Sequence, residues 1–204
     1  MQKGRAERLA LFAFRPIILA SRNRSPAMRF LMPFALAAFP FAALAAGSDD
    51  TAPPTPTETT TQCKDGQVWD EKTKACVAPE DARLEDDTRF RAVRELAWAG
   101  RVPEARRVLA AMTEGQTDRV MTYEAFTLRK SGQIEAGLAA YEAAILHNPG
   151  NLLARSYYGQ ALVEQGEFDM AKAELAAIAA QGGTDTWAHQ ALAQAIVTGQ
   201  TVNW

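Results

Sequence analysis

Residues suited to catalysis are sparse in this sequence of 204 residues. Its two histidines, His147 and His189, both fall on predicted helices, and His147 lies in a last turn, where a cationic side chain suits the helix dipole. Glu164 and Glu167 cluster at one helix end, without a surrounding pocket that would make them an acid–base pair. The motifs of phosphate-binding loops, serine hydrolases, zinc proteases and dinucleotide-binding folds do not occur. The sequence therefore predicts no enzymatic activity, no cofactor and no metal site.

The two cysteines, Cys63 and Cys76, offer a different chemistry. An even cysteine count in an exported chain favours a disulfide, whereas two thiols without a nearby histidine or C-x-x-C spacing argue against a metal site or a redox pair. Turn-forming residues on both sides of Val68 and Trp69 predict a small stapled hairpin over residues 63–80. This piece loosely resembles the Cys-Gly-aromatic-Cys stretch of small chitin-binding modules, which have more cysteines. Carbohydrate binding is thus an alternative to a purely structural staple.

The first 45 residues have the composition of a targeting segment. They contain seven basic residues and one acidic residue, Glu7. An apolar run follows Met28 and ends in an A-x-A cleavage signature, Ala43 and Ala45, before Ala46. The run has about 15 residues against the roughly 20 of a membrane-spanning helix, which favours cleaved export over a retained anchor. Translation that starts at Met28 would leave a compact signal peptide, and a long bipartite signal is the alternative. Either one predicts export, to the periplasm of a bacterium.

The remaining chain is acidic and starts with a polar stretch. From Ala46 onward there are 15 basic and 23 acidic residues, a balance that disfavours binding to nucleic acid because phosphate backbones are also negative. Residues 46–62 are rich in threonine and proline and have almost nothing apolar to bury. They are predicted to form a disordered spacer.

A repeat begins near Leu84. Amphipathic segments alternate with short breaks whose glycines, at positions 100, 132, 166 and 199, are 32, 34 and 33 residues apart. A fixed spacing in this range is typical of a solenoid, in which each helical hairpin packs only on its neighbours. The spacing predicts repeats at about 86–117, 118–151 and 152–184 and a capping helix in 185–204. Trp187 and Trp204 are expected to cover the exposed end of the core.

These breaks resemble the inter-helix turn of tetratricopeptide repeats. The resemblance is carried by the segments 97–105, 130–137 and 164–171, by Tyr141, Ala144 and Pro149 in the second repeat, and by Tyr158, Gly159 and Leu162 in the third. It covers about 84–204 and implies an all-α fold: a right-handed α-α superhelix of about three hairpins plus a C-terminal capping helix, preceded by the disulfide-clipped segment. The chain departs from the family at Met121 and Arg155, where a Trp or Leu usually opens the first helix. It also departs at Gly182-Gly183, which replace the closing proline.

In this family the first helix of each hairpin lines the concave face, so the resemblance implies a partner-binding site there. The candidate residues are Phe90, Arg94, Trp98, Arg119, Thr122, Phe126, Arg129, Lys130, Ser156 and Gln160. Four cations among them predict a basic, partly aromatic groove that selects acidic or extended peptides. The alternative is that the charges are solvated and the aromatic residues are ordinary core. Tyr123 and Tyr157 occupy the slots of the family's carboxylate-clamp asparagines, so a chaperone-tail clamp is not expected.

The sequence thus predicts a non-enzymatic protein–protein interaction scaffold of the bacterial cell envelope. Its partner would be a protein or peptide, preferably acidic, bound on the concave face. Nucleic acid is not expected as a partner, and a membrane only through an uncleaved targeting segment. The alternatives are carbohydrate binding through the Cys63–Cys76 segment with the repeats as a stalk, and self-association of the ends of the stack.

Overall fold

The computed structural model describes residues 52–201, so the predicted targeting segment, residues 46–51 and Trp204 lie outside the described residues. Over this range the chain is mainly helical, with one small hairpin near its start. In chain order the elements are α1 (Glu58–Thr61), β1 (Val68–Asp70), β2 (Ala75–Val77), α2 (Asp86–Trp98), α3 (Val102–Ala110), α4 (Asp118–Lys130), α5 (Ile134–His147), α6 (Leu152–Glu164), α7 (Phe168–Ala180) and α8 (Trp187–Thr198). No helix within the described range is long and apolar enough to cross a membrane.

The predicted glycine turns join the two helices of each hairpin. At Gly100, Gly132 and Gly166 the backbone φ is between 73° and 82°, a left-handed conformation that glycine adopts without a steric penalty. The residue after each glycine donates its amide to a carbonyl five residues earlier, as Arg101 does to Leu96 at 2.8 Å. This bond closes the exposed end of the first helix and reverses the chain. The prediction of an α-helical repeat is therefore confirmed, with hairpins α2–α3, α4–α5 and α6–α7 followed by α8.

Small residues lie where helices approach most closely. A Cβ atom on Gly137 of α5 would lie 2.8 Å from the backbone nitrogen of Arg129 in α4. A Cβ atom on Gly159 of α6 would lie 2.6 Å from a methyl carbon of Leu192 in α8. Both distances are shorter than van der Waals contact, so these two helix pairs depend on glycine. Leu192 also belongs to the buried core that runs through the repeats.

The predicted disulfide is confirmed. Cys63 and Cys76 are bonded, with their Cα atoms 5.5 Å apart, and β1 and β2 pair antiparallel between them, with Trp69 opposite Cys76. Val68 is buried and belongs to the same core cluster as α2 and α3. We call residues 63–77 the clip. A disulfide is consistent with an oxidising compartment.

The spacer prediction is wrong for the part that the structure describes up to residue 62. Glu58–Thr61 form a short helix capped by Thr57, whose hydroxyl accepts the amide of Thr59. The amide and hydroxyl of Thr57 both donate to the carboxylate of Glu95 in α2, at 2.7–2.9 Å. Composition misled the prediction because a segment without apolar side chains can still be ordered by hydrogen bonds to a buried carboxylate.

The expected role of Trp187 is also wrong. Its ring lies 5.5 Å from that of Trp98 and 6.1 Å from that of Tyr157, among the first helices of the hairpins. Thr186 caps α8 and places Trp187 at the first position of the helix. The ring is therefore directed back over the repeats and does not cover the end of the stack.

Candidate functional site

Aromatic rings from the first helix of each hairpin form a continuous row. Phe90 of α2 contacts Tyr123 of α4 at 5.4 Å between centroids, and Phe126 of α4 contacts Tyr157 of α6 at 4.9 Å. Tyr157 in turn contacts Trp187 of α8. We call the side of the protein on which these rings lie the inner face. The pairs are edge-on or tilted, the arrangement that aromatic quadrupoles favour.

Most of the predicted partner-binding residues are buried on this face. The buried ones are Phe90, Arg94, Thr122, Phe126, Arg129, Ser156 and Gln160. Trp98, Arg119 and Lys130 are partly exposed. An open groove formed by all ten side chains is therefore not what the structure has. The reason is that the aromatic members pack on rings of neighbouring hairpins and several polar members bond to the backbone.

Two of the buried polar residues tie helices together. The hydroxyl of Ser156 in α6 donates to the carbonyl of Ala188 in α8 at 2.6 Å. The hydroxyl of Thr122 in α4 accepts from the side chain of Asn151, just before α6, at 3.0 Å. These bonds satisfy groups that would otherwise be buried without partners, so their first role is structural.

Arg119 is also committed to contacts within the protein. Its guanidinium pairs with Glu114 at 2.5 Å and with Asp87 of α2 at 2.7 Å, and it lies 4.8 Å from the ring centroid of Phe90. The hydrogen bonds that Arg119 donates to Glu114 raise the pKa of Arg119 above its usual value. A partner would have to compete with two carboxylates, so Arg119 is better placed to join α2 to α4 than to bind a ligand.

A second cationic group lies at the end of α4. The side chains of Arg129 and Lys130 both lie 3.6 Å from the carboxylate of Glu164 at the end of α6, beyond hydrogen-bond distance. Arg129 is 1% exposed, and its Nε and Nη2 make no hydrogen bond within the described part of the chain. Burial, followed by the nearby charge of Arg129, lowers the pKa of Lys130 to about 8. The buried Arg129 and the partly exposed Lys130 thus lie near one carboxylate, which also accepts the hydroxyl of Thr201 at 2.9 Å.

Arg94 lies at the other side of the aromatic row. Its guanidinium is 6.0 Å from the ring centroid of Phe90 and donates to the carbonyl of Ala52, the first described residue. Burial raises the pKa of Tyr123, and the charge of Arg94 opposes that effect, which places the two side chains near each other. The start of the described chain therefore meets the inner face at Arg94.

The clip is held on the first hairpin by residues that the sequence analysis did not single out. Arg101 donates to the carbonyls of Thr60 and Cys63 at 3.1 and 2.9 Å and pairs with Glu104, which accepts the amide of Gly66 at 2.6 Å. Asp65 accepts a further bond from Arg107. The signal that could have revealed this was Arg101-x-x-Glu104 directly after a glycine turn. The clip is docked on α3 and is not a separate module.

Groups of acidic, histidine and cysteine side chains that could hold a metal ion do not occur within residues 52–201. An open pocket of about 240 Å³ lies between α3, α4 and α5, lined mainly by Arg106, Leu109, Glu124, Leu128 and Ala140. It contains one acidic and one basic side chain and none of the residues that the sequence singled out.

Comparison with known proteins agrees with this architecture. No curated protein and no solved structure matches the chain. The tetratricopeptide repeat family matches residues 128–195, which run from the end of α4 through α8. The two hairpin turns at Gly132 and Gly166 and both glycine-dependent helix contacts fall within this range. Over residues 128–195 the chain is therefore similar to the tetratricopeptide repeat family, whose members are generally non-catalytic scaffolds.

Proposed function

We propose that this protein is a non-enzymatic scaffold that binds an acidic protein or peptide on its inner face, at the cationic site formed by Arg129 and Lys130. The observation that supports it most is that two cations, the buried Arg129 and the partly exposed Lys130, each lie 3.6 Å from the single carboxylate of Glu164. Arg129 donates from Nη1 to the carbonyl of Tyr157 at 3.3 Å, and its positive charge together with that of Lys130 would favour a second carboxylate close to the exposed part of this site.

An aromatic side chain on the same inner face offers an anchor for a partner. Trp98 is partly exposed, and its indole nitrogen donates to the hydroxyl of Tyr157 at 3.3 Å. Tryptophan and arginine are both enriched among the residues that dominate protein–protein binding energy. We therefore expect a partner segment that combines an acidic side chain with an apolar one.

We further propose that the scaffold acts in the bacterial cell envelope, exported to the periplasm after cleavage between Ala45 and Ala46. The disulfide supports an oxidising compartment, and the apolar run after Met28 supports a signal peptide. Mass spectrometry of the protein from its host tests this: the expected N-terminus is Ala46, and an intact residue 1 or 28 on a cytoplasmic product would contradict it.

The binding proposal is tested by capturing the tagged protein from intact, crosslinked cells of its host. Lys130→Gln is expected to reduce recovery of a reproducible partner by about tenfold, which corresponds to the loss of one partly buried charge pair. Lys172→Gln is the matched control, because Lys172 lies exposed on α7 and pairs with Asp169. Unfolding midpoints of both variants are measured alongside. Equal recovery with both variants, at equal stability, would reject the inner-face site.

A second candidate is self-association through the last hairpin. Phe168 and Met170 at the start of α7 are exposed, and Val197 near the end of α8 is 84% exposed. Exposed apolar residues that form a contiguous patch mark interaction sites, and a second copy of the chain could cover these three. Sedimentation at rising concentration tests the idea: a dimer that dissociates on Met170→Lys supports it, and a monomer throughout rejects it.

A further inference from the structure

The open pocket between α3, α4 and α5 has one charged and one apolar side chain on each of two walls. On α3 these are Arg106 and Leu109, and on α4 they are Glu124 and Leu128. The members of each pair are three or four residues apart, so they lie on the same face of their helix. Ala140 of α5 completes the apolar part of the lining. The pocket is thus an apolar depression with opposite charges on its two walls.

This pocket lies away from the inner face. In α4, Phe126 belongs to the aromatic row, and Glu124 and Leu128 are two positions before and after it. Residues two positions apart in a helix with about 3.6 residues per turn point in nearly opposite directions. A partner bound in the pocket therefore leaves the inner face open.

The size and the charge of the pocket limit what it can bind. Its volume of about 240 Å³ is below the roughly 300–1,000 Å³ of sites for drug-sized ligands, so it suits a protein side chain better. Arg106 is exposed and forms no ion pair with any residue that the structure describes. The complement of this pocket is therefore an apolar side chain next to an acidic one.

The first turn of α7 presents that combination. Phe168 and Met170 are 38% and 49% exposed, and the side chain of Asp169 between them is 98% exposed. Asp169 pairs with Lys172 of the same helix at 3.1 Å, and an exposed pair of this kind contributes little to stability. The carboxylate of Asp169 is therefore available to a cation of a second copy.

We propose that the first turn of α7 of one copy docks into this pocket of a second copy, with Met170 in the apolar depression and Asp169 paired to Arg106. Glu124 on the opposite wall repels Asp169 and so orients the turn, because like charges placed together across an interface are costly. The contact joins two different surfaces and is heterologous, so further copies can add unless the assembly closes. This inference deepens the self-association proposed above as the second candidate function and rests on it.

Sedimentation velocity of the purified protein at rising concentration tests this contact. Arg106→Glu is expected to weaken self-association by about tenfold or more, because it places a carboxylate opposite Asp169. Arg91→Glu is the matched control: Arg91 is exposed on α2, donates to the hydroxyl of Thr88, and its substitution changes the net charge equally. Unfolding midpoints show that both variants remain folded. Equal association of the two variants would overturn the proposal.

Charge reversal tests whether Arg106 and Asp169 meet. Asp169→Arg alone is expected to weaken association as Arg106→Glu does, and the variant with both substitutions is expected to regain most of it. A mixture of the two single variants should also associate, because the intact pocket of one accepts the intact turn of the other. A double variant that associates no better than either single variant would contradict the pairing.

Failure of this contact and failure of self-association give different results. If Met170→Lys abolishes association but Arg106→Glu and Arg91→Glu behave alike, the start of α7 self-associates and the pocket is not its site. If the wild-type chain stays monomeric at every concentration, both proposals fail. Lys130→Gln is expected to leave self-association unchanged, because the pocket lies on the other side of α4.

Discussion

Trp98 at the end of α2 lies against Trp187 at the start of α8, with ring centroids 5.5 Å apart. The two residues belong to the first hairpin and to the helix that follows the last one. Tyr157 of α6 contacts both, through a hydrogen bond from Trp98 and a ring contact with Trp187. The inner face is therefore bridged from the first repeat to the last by three aromatic side chains, which is one reason why so many of its residues are buried.

Removing this bridge should destabilise the whole stack. Trp98→Leu deletes the contact with Trp187 and the hydrogen bond to Tyr157, and we expect the free energy of unfolding to fall by about 1–3 kcal/mol. Leu146→Ala is the control: that side chain is 84% exposed, and the expected change is under about 0.5 kcal/mol. Chemical denaturation measures both. Equal effects of the two substitutions would show that the aromatic bridge adds nothing to the free energy of unfolding.

The two glycine contacts should respond differently when a second substitution shortens the side chain opposite the glycine. Gly159→Ala drives a methyl group into the Leu192 side chain, and Gly137→Ala drives one into the backbone of Arg129. Each is expected to cost about 1–3 kcal/mol of unfolding free energy. Leu192→Ala should relieve much of the Gly159→Ala cost, because a side chain can be shortened. Arg129→Ala should not relieve Gly137→Ala, since the backbone stays in place. Equal coupling in the two double-mutant cycles would contradict these contacts.

The disulfide should stabilise the docked clip. Closing a loop of this length restricts the unfolded chain and contributes roughly 3 kcal/mol. Replacing Cys63 and Cys76 together by serine is therefore expected to lower the melting temperature, and reductant should lower that of the wild-type protein to a similar value. Added reductant should leave the double variant unchanged. A wild-type melting temperature that is insensitive to complete reduction would contradict the prediction.

The docking of the clip should weaken in acid. Hydrogen bonds from Arg101 hold the pKa of Glu104 below its usual value of 4.5, and the bond from Gly66 acts in the same direction. Because the folded-state pKa is depressed, this stabilisation is complete above about pH 4.5 and is lost as the pH falls through the lowered value. The coupling between Arg101→Met and Glu104→Gln in a double-mutant cycle should therefore be larger at pH 7 than at pH 3. A coupling that is the same at both pH values would be inconsistent with a charged Glu104 in this contact.

What the sequence predicted well depends on short stretches of chain. The turns at Gly100, Gly132 and Gly166 follow from local backbone requirements, and their spacing was enough to predict the helical hairpins. The Cys63–Cys76 disulfide likewise closes a short loop. These features involve neighbours in sequence, so residue types and spacing carry the information.

What the sequence missed depends on residues far apart. The bonds from Thr57 to Glu95 and from Arg101 to Cys63 join segments about 38 residues apart, and neither pair has a motif that predicts it. The burial of Phe126 and Ser156 likewise depends on how neighbouring hairpins pack. Projecting the sequence of a segment onto a single helix places each side chain on a face of that helix. It does not show whether another helix covers that face.

The most direct test of the inner-face account is photocrosslinking in living cells at two positions. Trp98 and Leu146 are replaced separately by benzoylphenylalanine; Trp98 lies on the inner face, and Leu146 is exposed on α5. The account predicts a covalent adduct with another protein from position 98, lost on Lys130→Gln, and none from position 146. Adducts from position 146 alone, or an adduct at position 98 that Lys130→Gln leaves intact, would contradict the claim that this protein binds its partner on the cationic inner face.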